Sequence, residues 1–371
     1  MSLSERLKAR ADSPDPRKLF VRFGLLRNPF PSAAQSSGNP HLRLPVDEVI
    51  ETRIETFTRD HISQVIVILG TQGVGKTNLL NYYEKEIAEA LPTIKGYYVI
   101  RYLADPEASF DATIRRLFQE LGIRHLMRLG EELSEKENSE RTIELARSHE
   151  IRIALRRLSK SSDREYAASL MLEWLVGLRI LNRHRETLGV QFRLDTVESK
   201  TLAFRDLVIC SSDAGILSGI FLLLDELEKQ DGVLSPIYVV RYLSALRAII
   251  DALPSHLFLM LAVTPDALRR YSAALPAFQS RLQDTVALEP LADVTAALKL
   301  AKFYVDEGRK NAQLERGEIP LDVEDIVKEA KVRELFEELM RRAAARRDVG
   351  LRQRDLLHAL SLEAERTIQE V

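Results

Sequence analysis

The sequence predicts an α/β protein built on a five-stranded parallel sheet, and three observations carry that reading. Short apolar segments of β type recur along the chain, helical segments with one apolar face separate them, and a glycine-rich loop ending in Lys-Thr follows the first of them. Continuous apolar runs of this kind are expected of strands buried on both faces, whereas strands with one wet face alternate.

Taken in order, Asn28 to Pro40 (NPFPSAAQSSGNP) collects prolines and small polar residues and reads as part of an irregular arm over residues 1–45. A first helix is expected to start near Val46. The strand candidates are SQVIVIL ending at Leu69, YYVIRYL from Tyr97 to Leu103, GIFLLL ending at Leu224, LFLMLAV from Leu257 to Val263, and TVALEPL from Thr285. Helical spacing is clear at Leu79, Leu80, Tyr83, Ile87 and Leu91, and again at Val239, Leu243, Leu246, Ile250 and Leu253.

More than 100 residues separate the second and third strands, far more than one crossover helix requires. A helical insertion is therefore expected at about 125–212, with helices near Arg141 to Leu158, Asp163 to Leu181 and Thr196 to Ser211. Within it, Trp174 falls in an apolar helical pattern with Leu170, Met171 and Leu178 and is expected in the core. Residues 46–291 then make the α/β domain. Residues 292–371 show only helical pattern, including a strongly charged helix from about Val323 to Arg347, and are expected to form a second, all-helical domain.

Composition removes several classes. The 53 basic and 55 acidic side chains nearly cancel, so no global field draws the molecule to nucleic acid or anionic membrane. Any nucleic-acid contact must be local. The one cysteine, Cys210, forms no intramolecular disulfide and reads as a small buried hydrophobe, and the seven histidines show no metal-ligand spacing. Apolar runs of about seven residues fall short of the roughly twenty that a membrane-spanning helix needs, and the first twenty residues lack the apolar stretch of a secretory signal. A cytoplasmic location is expected.

The chemistry begins at GTQGVGKT: Gly70, Thr71, Gln72, Gly73, Val74, Gly75, Lys76 and Thr77 satisfy GxxxxGK[ST], after an apolar strand and before an amphipathic helix. The glycines let backbone N–H groups converge on phosphate oxygens, and the helix N-terminus adds its dipole. Lys76 is expected to reach the β- and γ-phosphates and the Thr77 hydroxyl to bind Mg²⁺, which makes ATP with Mg²⁺ the expected ligand.

GIFLLLDELE places Asp225 and Glu226 at the carboxyl end of a buried strand, where open α/β sheets hold their ligands. Asp225 is expected to complete the Mg²⁺ site and Glu226 to orient and deprotonate the attacking water. Thr264 ends the next strand, and its hydroxyl could hold that water or the γ-phosphate, or simply cap a helix.

A phosphate loop, a DE pair and a polar strand end on successive strands resemble the AAA+ ATPases, and residues from about Val46 to Arg366 fit that plan. FQSRLQDTVALEPL is similar to the SRC-type motif of clamp-loader subunits, which implies that Arg281 is an arginine finger reaching a neighbour's nucleotide, with Arg269 and Arg270 as alternatives. GLRQRDLLHAL looks like the second-sensor helix and implies that Arg354, or else Arg352, touches γ-phosphate from a helical lid. FGLLRNPFP near Phe23 resembles the opening of ExeA- and TniB-like ATPases, which lie near the ORC/Cdc6-related ATPases. EWLVG (Glu173 to Gly177), LGV (Leu188 to Val190) and FLLLDELE resemble the ATP-binding proteins of BREX-type phage-defence systems.

The resemblance implies an ATPase that oligomerises with nucleotide, as a ring or filament, and acts on DNA or a DNA-bound partner in phage defence or mobile-element regulation. Arg341 to Arg354 carries six arginines against Asp348 and could track duplex DNA, as could Arg152, Arg156, Arg157 and Lys160. Pairing of those arginines with nearby acids is the competing reading. The alternative function is an ATP-dependent signalling switch or scaffold that recruits a protein effector without binding DNA. No membrane partner is expected.

Overall fold

The computed structural model describes residues 19–32, 38–103, 110–137, 139–228, 236–282, 284–316 and 323–370. The chain divides into two compact units, one of Pro45–Leu69 with Tyr83–Ala287 and the other of Met1–Leu44 with Gly70–Tyr82 and Leu288–Val371.

The first unit holds the sheet. Strands β1 (Gln64–Leu69), β2 (Tyr97–Leu103), β3 (Gly219–Asp225), β4 (Leu257–Val263) and β5 (Asp284–Ala287) lie in the order β2-β3-β4-β1-β5. Every pairing is parallel. The expected five-stranded α/β architecture is therefore present. Every residue of β3 and β4 is buried, which accounts for their unbroken apolar sequences.

Helix α1 (Pro45–Asp60) packs on β1 and β5. Its Phe57 meets Phe221 and Phe258 edge-on, at centroid distances of 5.1 and 5.4 Å. Room for that ring comes from Gly219, where a Cβ would stand 2.7 Å from the Phe57 Cζ atom. The next helix, α2 (Lys76–Ala90), starts at the glycine-rich loop and runs from one unit into the other.

The opposite side chains of β3 and β4, Ile220, Leu222, Leu224, Leu257, Leu259 and Leu261, enter one large apolar cluster. Helix α3 (Phe110–Glu135), bent at Gly122, supplies Ile114, Leu117 and Phe118 to it. The expected span Arg141 to Leu158 is two helices, α4 (Ser139–Glu144) and α5 (His149–Lys160), because Ser148 breaks it: its Oγ accepts the Ile151 N–H at 3.4 Å and caps α5. Helix α6 (Arg164–Leu175) starts after the Asp163 cap and stops well short of Leu181. Trp174 is fully buried there, with its indole N–H on the Phe192 carbonyl at 3.0 Å, whereas Leu178 is half exposed.

After α7 (Asn182–Leu188), helix α8 (Val197–Asp213) opens with a reciprocal Thr196–Ser199 capping box and buries Cys210, whose thiol burial pushes up to about 12. Helices α9 (Pro236–Ala252), α10 (Pro265–Ala274) and α11 (Pro276–Gln279) complete this unit.

In the other unit, α12 (Val294–Arg316), α13 (Glu329–Ala345) and α14 (Gln353–Gln369) enclose their own core of Leu300, Tyr304, Phe336, Leu356 and Leu360. The charged helix expected from Val323 thus starts at Glu329. Phe23, Leu25 and Phe30 of the arm join that core. Asn28 fastens the arm: its Oδ1 accepts the Phe30 N–H at 3.1 Å, and its amide donates to the Ser361 carbonyl on α14 at 2.9 Å. Among the described residues, no helix is long and apolar enough to cross a membrane.

The aromatic contact between α1 and the central strands yields a stability prediction. Phe258→Ala is expected to cost about 3–5 kcal/mol, as for other buried aromatics truncated in a close-packed core. Urea denaturation followed by circular dichroism measures it, and a loss below about 1 kcal/mol, typical of surface positions, would show that the contact does not hold α1.

Candidate nucleotide-binding site

The loop from Gly70 to Thr77 sits with the helical unit. Gly73 and Gly75 adopt φ of 85° and 107°, a left-handed region that L side chains rarely enter, so the turn requires glycine. At Gly75 a Cβ would also stand 3.1 Å from the Gln353 Oε1 atom. The Leu79 N–H bonds to the Gly75 carbonyl at 2.9 Å, so the N–H groups just before it have no acceptor within the helix. Lys76 is buried, with its ammonium on the Gly70 and Thr71 carbonyls at 2.7 and 3.3 Å. Thr77 lies in the first turn of α2.

The second-sensor candidates lie beside this loop. An antiparallel bridge between Leu291 and Leu351 brings the start of α14 to it, and the Arg354 N–H donates to the Gly73 carbonyl at 3.1 Å. The Arg354 side chain is exposed and has no ion-pair partner among the described residues. Arg352 donates to Asp348 at 3.2 Å. Next to the loop is a small open pocket, lined among others by His41, Leu42, Val74, Asn78, Tyr304 and Gln353. Asn78 donates to the Pro40 carbonyl at 3.1 Å, His41 stacks on Tyr82 at 4.4 Å, and burial pushes the Tyr304 phenol up to about 12. Sequence reasoning missed this pocket, because its walls come from three separate segments of the chain.

The strand-end candidates sit in the sheet unit. Leu69 and Val263, the last residues of β1 and β4, stand opposite each other. The Thr264 Oγ1 accepts the Ala267 N–H at 3.4 Å and caps α10, which leaves its own O–H available to donate. Asp225 is buried and Glu226 follows it with a φ of 53°, an uncommon conformation for a non-glycine residue. The Glu226 N–H donates to Asp225 Oδ1 at 2.9 Å.

One residue there was not foreseen. Arg101 of β2 donates to Asp225 Oδ2 at 2.8 Å, with the two side chains only 10% and 0% exposed. Burial lowers the Arg101 pKa from its ordinary value, against the pull of Asp225, Glu84 and Glu226. A signal was present in YYVIRYL, where a charged residue interrupts a buried strand.

Among the arginine-finger candidates, Arg281 binds Asp251 at 2.5 Å and Arg269 binds Asp266 at 3.3 Å, while Arg270 lies on α10. The basic clusters are paired in part. Arg152 and Arg156 engage Glu140 and Glu144, and Arg346 engages Asp348 and Asp355 at 3.1 and 3.0 Å. Arg342 pairs with Glu338. Arg341 and Arg347 are exposed and without ion-pair partners among the described residues.

A five-stranded parallel sheet in this order, with a GxxxxGKT loop directly after β1, defines an α/β P-loop nucleotide-binding protein of the AAA+ type. The family model described as "BREX system ATP-binding protein BrxC/D" matches residues 124–363, more than half of the chain, and the chain belongs to that family. The matched segment starts after the phosphate loop and takes in the insertion at 125–212, the DE strand end and the start of α14.

A search of curated proteins returned no match. Among solved structures, the chain is similar to the Aeropyrum pernix ORC2 protein in its ADP form, at 13% identity and a TM-score of 0.40, covering 90% of this chain and 73% of that one. The ADPNP-ADP complexes of the same protein match at 14% identity and a TM-score of 0.40, covering 90% and 72%.

The loop geometry makes a direct prediction. Gly75→Ala is expected to weaken ATP binding by at least about tenfold, the effect of displacing one charge-assisted hydrogen bond. Equilibrium binding of a fluorescent ATP analogue measures this, and unchanged affinity in a folded variant would remove Gly75 from the phosphate cradle.

Proposed function

We propose that this protein binds and hydrolyses ATP, assembles into an oligomer whose sites are completed between subunits, and acts on DNA or a DNA-bound partner in phage defence. The observation that carries this reading is the glycine-rich loop, with its two left-handed glycines, helix N-terminus and Lys76. Such a loop presents converging N–H donors and one ammonium, which suits a polyphosphate.

In this reading Gly70 to Thr77 hold the phosphates and Lys76 leaves the loop carbonyls for the β- and γ-phosphates. The neighbouring pocket, with Tyr304 and Asn78 in its wall, takes the nucleoside. Thr77 offers a hydroxyl oxygen and Asp225 a carboxylate, each a hard donor of the kind that Mg²⁺ accepts. When bound, Mg²⁺ would neutralise charge on the phosphates. Glu226 takes the proton of the attacking water, and the Thr264 hydroxyl donates to that water or to the γ-phosphate.

Arg354, next to the loop and without an ion-pair partner among the described residues, is the second-sensor candidate. Arg281 serves as the finger only if its bond to Asp251 opens at the subunit interface. Hydrolysis would then loosen the assembly, because the charge that Arg281 reads disappears with the γ-phosphate. One observation favours the scaffold reading instead: Arg152 and Arg156 of the insertion are already neutralised by acids of the same chain, which leaves that surface less suited to DNA.

Two predictions separate these roles. Lys76→Ala is expected to abolish ATP affinity, whereas Glu226→Gln keeps ATP binding and loses about 10²–10⁴-fold in turnover, the usual contribution of a general base. Phosphate release and analogue binding on the same preparations test the split; equal loss of both functions in both variants would undo the assignment. For the second, duplex-DNA binding with and without ATP over a salt series is expected to be ATP-dependent, with a log-log slope of about −0.9 per phosphate contacted. Absence of binding with any nucleotide would favour the scaffold.

A further inference from the structure

The interior of the sheet unit holds one ion pair that the proposed reaction does not use as it stands. Arg101 stands opposite Leu223, and Leu103 opposite Asp225, so Arg101 and Asp225 are diagonal neighbours on one face of β2 and β3. Their contact is single-pronged. Nη2 reaches Asp225 Oδ2 at 2.8 Å, while Nη1 is buried with no hydrogen-bond partner among the described residues. Asp225 is also engaged at its other oxygen, by the Glu226 N–H at 2.9 Å.

This arrangement is unusual for a guanidinium, whose fork matches a carboxylate with two parallel bonds. Here the second prong is left over, in a position where water does not reach it. Two further carboxylates, Glu84 and Glu226, act electrostatically on the same guanidinium. A buried cation with one partner, one idle donor and two more acids within its field has a second place to go.

We propose that Arg101 is the resident counter-ion of Asp225 and is exchanged for the divalent cation that arrives with the nucleotide, moving toward Glu226 and Glu84 as it leaves. This rests on the reading of Asp225 as a Mg²⁺ ligand. The physical reason is charge balance. Without the cation, a fully buried carboxylate needs a positive partner; with it, two cations on one carboxylate repel each other in a low-dielectric site. Arg101 is thus a positioning residue that competes with Mg²⁺ for Asp225 and, once displaced, bears on the Glu226 carboxylate. No bond is made or broken in the exchange.

The experiment follows binding of a fluorescent ATP analogue to the full chain across a Mg²⁺ series, alongside melting temperature without nucleotide. Arg101→Gln is expected to lower the half-saturating Mg²⁺ concentration by about tenfold, inside the usual range of coupling between linked sites, and to lower the cation-free melting temperature. Glu84→Gln keeps the Arg101–Asp225 pair but weakens the destination, and is expected to raise the Mg²⁺ requirement by about fivefold, at the lower edge of that range. It decides the matter if Arg101→Gln does not fold.

Unchanged or weaker Mg²⁺ dependence in folded Arg101→Gln, or no effect of Glu84→Gln, would overturn the exchange. Asp225→Asn separates that failure from failure of the underlying reading. If it leaves Mg²⁺ dependence untouched, Asp225 is not a cation ligand and both fall; if it abolishes the dependence while the other two variants behave as wild type, only the exchange falls.

Discussion

Burial of β3 and β4 on both faces is the constraint on which the sheet unit depends. With every residue of both strands out of solvent, neither can carry polar side chains along its length, so each is a continuous apolar run and both faces must be covered. One cover is α1, seated through Phe57. The other is the apolar cluster that runs through α3, α8 and α9. Polar chemistry is thereby pushed to the strand ends, which is where Asp225, Glu226 and Thr264 fall.

The same burial raises the stakes of each charge that does enter. Asp225 is the terminal residue of a strand with no solvent contact, and an isolated carboxylate there would be costly. Arg101 answers it from the neighbouring strand, at the expense of an idle Nη1. Arg281, by contrast, holds its acid on a partly exposed surface, where an ion pair is worth little and opens readily. The difference separates an arginine that is part of the interior charge balance from one that can be recruited by another molecule.

Legibility in the sequence followed the range of the interactions. The phosphate-loop pattern could be read because its glycines, lysine and threonine fall within eight neighbouring residues, and all five strands could be read because their apolar runs are local. The insertion was harder. Ser148 starts a new helix inside a span that periodicity alone would have made continuous, because a side-chain cap fixes a helix N-terminus without disturbing the apolar pattern. The FGLLRNPF segment carries packing as well as resemblance: Phe23, Leu25 and Phe30 are core residues of the helical unit, and Asn28 ties them to α14.

By itself the sequence determined the α/β class, the phosphate loop, the strand-end acids and the family resemblance, since each is written in contiguous residues whose local physics does not depend on the rest of the chain. Only the tertiary structure decided which charges are spoken for. It paired Arg101 with Asp225 across 124 positions, Arg281 with Asp251 across 30, and Arg156 with Glu140 across 16, and it set Arg354 beside Gly73 with no ion-pair partner among the described residues. Charge pairing is a matter of distance in space and of desolvation, and neither quantity exists until strand register and helix packing have set it.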